Sequence, residues 1–277
     1  MIKINTMKGD DKVCRIIMAE IKRAYSTKHN ISHYFTMIIW PILTFINVLC
    51  FYKTFSFSEK KWLVFNNSTY VYQYLAIGFF VYNCFFSLVR NALFMRHERE
   101  EGVLEMVFLT PANRMALVYG RALGALIQNA SMMICFAFLM LLTLNAGTVN
   151  FAMFPVILVL VYGVACIWGG LMNTIFLFSR DSEIIFYVLD EPMLLFSGVK
   201  HPIEIFPIWG KVVSLIFPLT YILAISRKLM LKFTIMNNFN HYVIILIGYI
   251  LLLVLLNKWL LEKVEKHFKE YGDLSFY

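Results

Sequence analysis

FAMFPVILVLVYGVACIWGGLMNTIFLF, running from Phe151 to Phe178, holds no charged side chain. An α-helix of about 20 apolar residues crosses the roughly 30 Å hydrocarbon core of a bilayer. This stretch therefore reads as a membrane span. Similar runs lie on both sides of it at Tyr34–Tyr52, Tyr70–Met95, Met115–Leu144 and Tyr242–Leu261, with a shorter one at Ile184–Phe196. Of the 277 residues, 60% are apolar and 15% charged. Soluble domains hold about 45–50% and about 25%. That balance excludes a soluble enzyme, a disordered tail and a secreted disulfide scaffold. A membrane β-barrel would alternate in segments of about ten residues, and these runs do not alternate. The fold class is all-α and polytopic.

The net charge of +8, from 25 basic and 17 acidic residues, could suit nucleic acid in a soluble protein. Beside membrane spans it is the basic flanking of cytoplasmic loops, and no nucleic-acid partner is expected. Cys14, Cys50, Cys84, Cys135 and Cys166 are far apart and form no C-x-x-C, so they read as packing residues. No cleavable signal is expected, because the apolar run after the basic N-terminal segment is too long for one.

Asp10–His29 reads as an amphipathic helix, with Cys14, Ile17, Met18, Ile21 and Tyr25 on one stripe and Lys12, Arg15, Lys22 and Arg23 around it. Its place is the headgroup plane, the alternative being an ordinary solvated helix. Val212–Ile225 is apolar but short and contains Pro218. Its length and proline favour a re-entrant or broken helix over a crossing. Six spans follow on that basis, with both termini cytoplasmic. The distribution of basic residues supports a cytoplasmic N-terminus for six or seven crossings alike. The segments are an interfacial helix at 1–33, a transmembrane domain at 34–261 with a re-entrant external segment at 197–239, and a cytoplasmic tail at 262–277.

Catalytic signatures are missing. There is no phosphate-cradling G-x-x-x-x-G-K-[ST], no H-E-x-x-H and no G-x-S-x-G. The histidines are scattered, and only His29 and His33 stand four apart, at a membrane entry. Neither a catalytic residue nor a bound cofactor or metal is expected on this chain.

The most informative polar stretch is Arg96-His97-Glu98-Arg99-Glu100-Glu101-Gly102-Val103-Leu104-Glu105, followed by Met106 to Pro111. It is charged first and apolar afterwards, between two spans on the basic side. Such a segment (96–114) can dock a soluble partner, its charges setting orientation while Leu104, Phe108 and Leu109 fill a groove. It can also be a plain connector. Asp190-Glu191-Pro192 lies within the short fifth run. Two acids in a span are costly. They either face a water-accessible pathway, pair with a base such as Arg121, or sit at headgroup level. The tyrosines and Trp62 around the start of the second span read as an interfacial belt.

Glu98, Arg99, Gly102, Leu104, Glu105, Thr110 and Pro111 resemble the E-R-x-x-G-T-L-E-x-L-x-x-T-P signature of type-2 ATP-binding-cassette (ABC) exporter membrane subunits, with Val103 in place of threonine. Gly120-Arg121 resembles the family's basic residue inside the third span. Ser197-Gly198-Val199 with Pro202, Phe206-Pro207 with Trp209, and Pro218-Leu219-Thr220-Tyr221 resemble its segment between spans five and six, with Phe217 where asparagine is common.

The resemblance implies a six-span permease without nucleotide-binding motifs. It implies pairing with a second membrane subunit, expected to be identical, and with two soluble ABC ATPase subunits that hold ATP and magnesium. It implies a plasma-membrane location. Glu98, Arg99, Glu101, Gly102, Leu104, Glu105 and Phe108 would form the ATPase-coupling helix. Arg121, Asp190, Glu191, Pro207, Pro218 and Tyr221 would belong to the translocation pathway and outer gate. A hydrophobic or amphiphilic cargo (drug, antibiotic, peptide or lipid) is the first expectation, and a polysaccharide or glycolipid the second. The rivals from other classes are an ATP-independent secondary transporter and an intramembrane enzyme.

Overall fold

In the computed structural model, the described residues are 9–26, 68–90, 113–143, 149–178, 182–231 and 239–271, with short pieces between 39 and 50 and between 101 and 110. The main helices are α1 (Gly9–Ser26), α2 (Ser68–Arg90), α3 (Arg114–Thr143), α4 (Phe154–Phe178), α5 (Ser182–Phe196), α6 (Ile208–Ser214), α7 (Pro218–Met230) and α8 (Phe239–Tyr271). Single 3₁₀ turns precede α4 and α6. The described β-pairing is one antiparallel bridge between Val149 and Leu231.

α2 is the central rod. Leu75, Ile77, Phe80, Val81, Cys84 and Phe85 are buried on every side of it. It packs against α3, α4 and α7, and α4 in turn meets α8. α8 shows the opposite pattern. Leu246, Leu253, Asn257, Leu261 and Val264 form a buried stripe at helical spacing. Ile244, Ile247, Leu251, Leu252, Leu255 and Trp259 are exposed. A helix apolar on its outer face as well as its inner one belongs in lipid. Among the described residues, Val71–Arg90, Phe151–Phe176 and Asn240–His267 are long and apolar enough to cross a membrane, and α6 with α7 would make a fourth as one bent span. The expected first span falls mostly outside the described residues. Phe45 from it lies 5.7 Å, ring to ring, from Phe79 of α2.

The charged tail begins as helix. α8 continues without a break through Glu262 to Tyr271. At 1.5 Å per residue its 33 residues extend about 50 Å, roughly 20 Å more than the hydrocarbon core. The projecting end carries Lys258–Glu262, Glu265–Lys269 and Lys266–Glu270 pairs one turn apart. Such exposed pairs contribute only a few tenths of a kcal/mol each.

α1 lies against α3. Gly120 permits the approach, since a Cβ there would stand 3.3 Å from the Ile17 Cα and 3.4 Å from the Glu20 Cβ. The stripe read from the sequence is rotated by this contact. Val13, Ile16, Ile17, Glu20 and Ile21 are half-buried, whereas Cys14 and Met18 are exposed. Two flanks of α1 are therefore apolar, one used by α3 and one open.

A buried polar chain ties α3, α4 and α8 together. The Thr174 hydroxyl donates to Asn257 Oδ1 at 2.6 Å, and Asn257 Nδ2 donates to the Tyr119 hydroxyl at 3.0 Å. Gly170 leaves room for the Tyr119 ring, which a Cβ would meet at 2.6 Å. Asn257 is fully buried, so a partner lost here is not replaced by water. Asn257→Leu breaks both bonds, leaving Thr174 the Gly170 carbonyl at 3.2 Å and taking from Tyr119 the amide donor of Asn257. It is expected to cost about 1 kcal/mol, read as a lower Tm of the detergent-solubilised protein.

Candidate functional site

The segment after α5 doubles back twice. Gly198 takes φ +84°, a conformation open to glycine at little cost, and turns the chain out of α5. Pro207 stands at the N-cap of α6, and Phe196 packs edge-on against Phe206 and Trp209, with ring centroids 5.9 and 5.7 Å away. α6 and α7 then meet at 90°.

The break is built from backbone accounting. At the end of α6 the N–H groups of Leu215, Ile216 and Phe217 bond the carbonyls of Val212, Val213 and Ser214, three residues back. This tightened turn leaves the Leu215 and Ile216 carbonyls over. The Tyr221 hydroxyl takes the first at 2.9 Å, and the Tyr249 hydroxyl from α8 takes the second. The Thr220 hydroxyl adds a 2.6 Å bond to the Ser214 carbonyl. Pro218, at the first position of α7, has no N–H to satisfy. Pro218 and Tyr221, expected near a gate, thus sit at the break and are buried, while Pro207 is exposed at the start of α6. α7 also runs beyond the apolar stretch read from the sequence. It continues to Met230, with Ser226 and Arg227 inside the protein.

Arg227 holds this assembly to α2. Its Nη1 donates to the Gly198 carbonyl at 2.7 Å, and its Nη2 donates to the carbonyls of Val199 at 3.1 Å and Tyr74 at 3.3 Å. Its Cζ lies 3.4 Å from the centroid of the Tyr74 ring, and the Tyr74 hydroxyl donates to Gly198 O at 3.3 Å. Gly78 leaves the space, since a Cβ there would run into Arg227 Nη2 and the Val199 carbonyl. In the sequence Arg227 looks like an ordinary base in a polar loop. The one available signal was an arginine directly continuing an apolar helical run. Beside this cluster His201 is half-buried, and burial lowers its pKa, with Lys200 adding to the shift.

The other expected pathway residues separate. Among the described side chains, Arg121 is not paired with Asp190 or Glu191. It lies 3.5 Å from Glu20 of α1, because the α1–α3 crossing brings those two side chains together. Asp190 instead accepts a 2.7 Å hydrogen bond from the Tyr82 hydroxyl of α2 and is half-buried. Glu191 is exposed.

Of the expected coupling residues, Glu98, Arg99, Leu104, Glu105 and Phe108 lie outside the described residues. Glu101 and Gly102 form a turn in which Gly102 takes φ +70°, which gives glycine at that motif position a physical reason. Met106 and Leu109 are exposed. Asn113 closes the segment by capping α3, accepting from the Ala116 N–H at 3.2 Å.

Residues 12–231 match the ABC-2 type transporter family. The chain belongs to that family. It is also similar to two proteins named probable multidrug ABC transporter permease YbhR, from Escherichia coli strain K12 and Escherichia coli O157:H7. Each is 24% identical over 149 residues, which is 52% of this chain and 40% of the relative. The match thus spans well under half of those relatives' length. Family membership together with the apolar helices makes this ABC-2 chain a multi-pass membrane transport protein.

Tyr221→Phe removes only the hydroxyl that satisfies Leu215. In a water-poor setting this is expected to cost about 1–3 kcal/mol, seen as a fall in Tm of the purified protein. An unchanged Tm would count against the accounting given for the bend.

Proposed function

We propose that this chain is the permease half of an ATP-driven exporter. It crosses the plasma membrane six times, with both ends cytoplasmic. It works as one of two membrane subunits, expected to be identical, with two soluble ABC ATPase subunits that bind ATP and magnesium. The observation that carries the reading is the sharply bent α6–α7 pair in a chain of ABC-2 membership. It is a broken apolar helix fastened to a central rod, suited to a re-entrant external gate.

In this reading the segment from Glu98 to Phe108, through Arg99, Glu101, Gly102, Leu104 and Glu105, docks in a cleft of the ATPase. Nucleotide binding there shifts α2 and α3, whose ends flank the segment. The gate then opens by rigid-body movement. Asp190 and Glu191 supply polar groups along an otherwise apolar route, while Arg121 supports α1 through Glu20. The multidrug naming of the relatives favours a hydrophobic or amphiphilic cargo.

Glu105→Arg reverses the charge at that one position of the docking segment. Pull-down with the soluble ATPase is expected to fall at least tenfold, a change of about 1.4 kcal/mol, while membrane expression stays normal. Undiminished capture would sink the docking assignment.

A further inference from the structure

Arg227 is a buried cation held by neutral groups. Its guanidinium donates to three backbone carbonyls, and among the described residues no carboxylate lies within ion-pair distance of it, Glu204 acting only from further off. Burying a charge this way is costly. An apolar side chain of similar volume commonly serves packing as well or better. What a neutral residue cannot do is grip three carbonyls on two separate segments at once, the turn at Gly198–Val199 and the α2 backbone at Tyr74. The planar fork of arginine suits that task. Gly78 and Tyr74 complete the socket, one by leaving space and the other by placing its ring under the guanidinium.

The position on α2 gives the grip its consequence. Tyr74 lies near the start of the helix and Arg90 at its end, about 24 Å further along. The proposed coupling segment begins just after that end. The rod between them is a continuous helix buried on nearly all sides.

We propose that Arg227 is a positioning residue that transmits movement of α2 to the gate formed by the segment after α5 and the α6–α7 pair. The proposal rests on the exporter reading above. A displacement of α2 at its cytoplasmic end is carried to Tyr74 by the stiff helix. It passes through the guanidinium to Gly198 and Val199, and so to the turn that leads into α6.

The test uses the full permease with its soluble ATPase in proteoliposomes, with Ile205→Cys in the exposed turn before α6 as reporter. A membrane-impermeant maleimide added from outside measures the exposure of that cysteine with and without ATP. With the native arginine, ATP should change the labelling rate several-fold. Arg227→Met should abolish that response while complex yield and ATP hydrolysis persist. Arg227→Lys, which keeps the charge but not the fork, should restore part of it. Gly78→Ala, which keeps the arginine but displaces its fork, should behave like Arg227→Met.

A full ATP response in Arg227→Met overturns the proposal. Failure of both Arg227→Met and Gly78→Ala to assemble also overturns it, since Arg227 would then serve folding alone. Absence of any ATP response with the native arginine would instead show that the exporter reading is at fault.

Discussion

A backbone carbonyl cut off from water must find a donor within the protein, and the architecture around α6 and α7 follows from that constraint. An unbroken helix satisfies its own carbonyls. A helix that turns through 90° cannot. Tyr221 and Tyr249 supply the donors the bend lacks, the first from the bend's own second helix, α7, and the second from α8 packed beside it. The turn leaving α5 faces the same problem, and there the carbonyls of Gly198 and Val199 are taken by Arg227. The irregular part of the chain is thus fixed in place by the groups that make its irregularity tolerable. Disturbing one donor disturbs both solvation and geometry.

The same logic separates two kinds of polar residue in this protein. Thr174, Asn257 and Tyr119 bond one another and join three helices. That is the behaviour of polar packing between membrane helices. Asp190 is different. Among the described residues its hydrogen-bond partner is Tyr82, and Glu191 beside it is exposed on the same short helix. Pro192 lies in that helix too and removes a backbone donor from it. α5 is the helix in which charge, a break in bonding and exposure coincide.

The sequence made much of the architecture readable, because apolar runs of helical length have one stable environment. The runs behind α2, α4 and α8 are of that kind, and the structure shows them as the long apolar helices. Pro218 inside a short apolar stretch likewise indicated a broken helix, and the break falls beside it. The ABC-2 resemblance rested on motif order, and the match over residues 12–231 bears it out. Gly102, read as a motif position, has a positive φ that accounts for it. Other readings were less exact. Arg121, one of the partners considered for Asp190 and Glu191, lies instead beside Glu20, because no spacing along one chain reveals that α1 crosses α3 at Gly120. The stripe on α1 was read slightly off its docked face for the same reason.

By itself, then, the sequence determined the solvent, the class of fold and the places where helices must start or stop, since hydrophobic length and backbone chemistry are local properties. Tertiary structure alone decided which donor meets which stranded carbonyl. Arg227, Tyr74 and Gly78 are separated by up to 153 positions in the chain, and nothing local distinguishes them. Their shared role exists only where α2, α7 and the turn after α5 come within hydrogen-bonding reach.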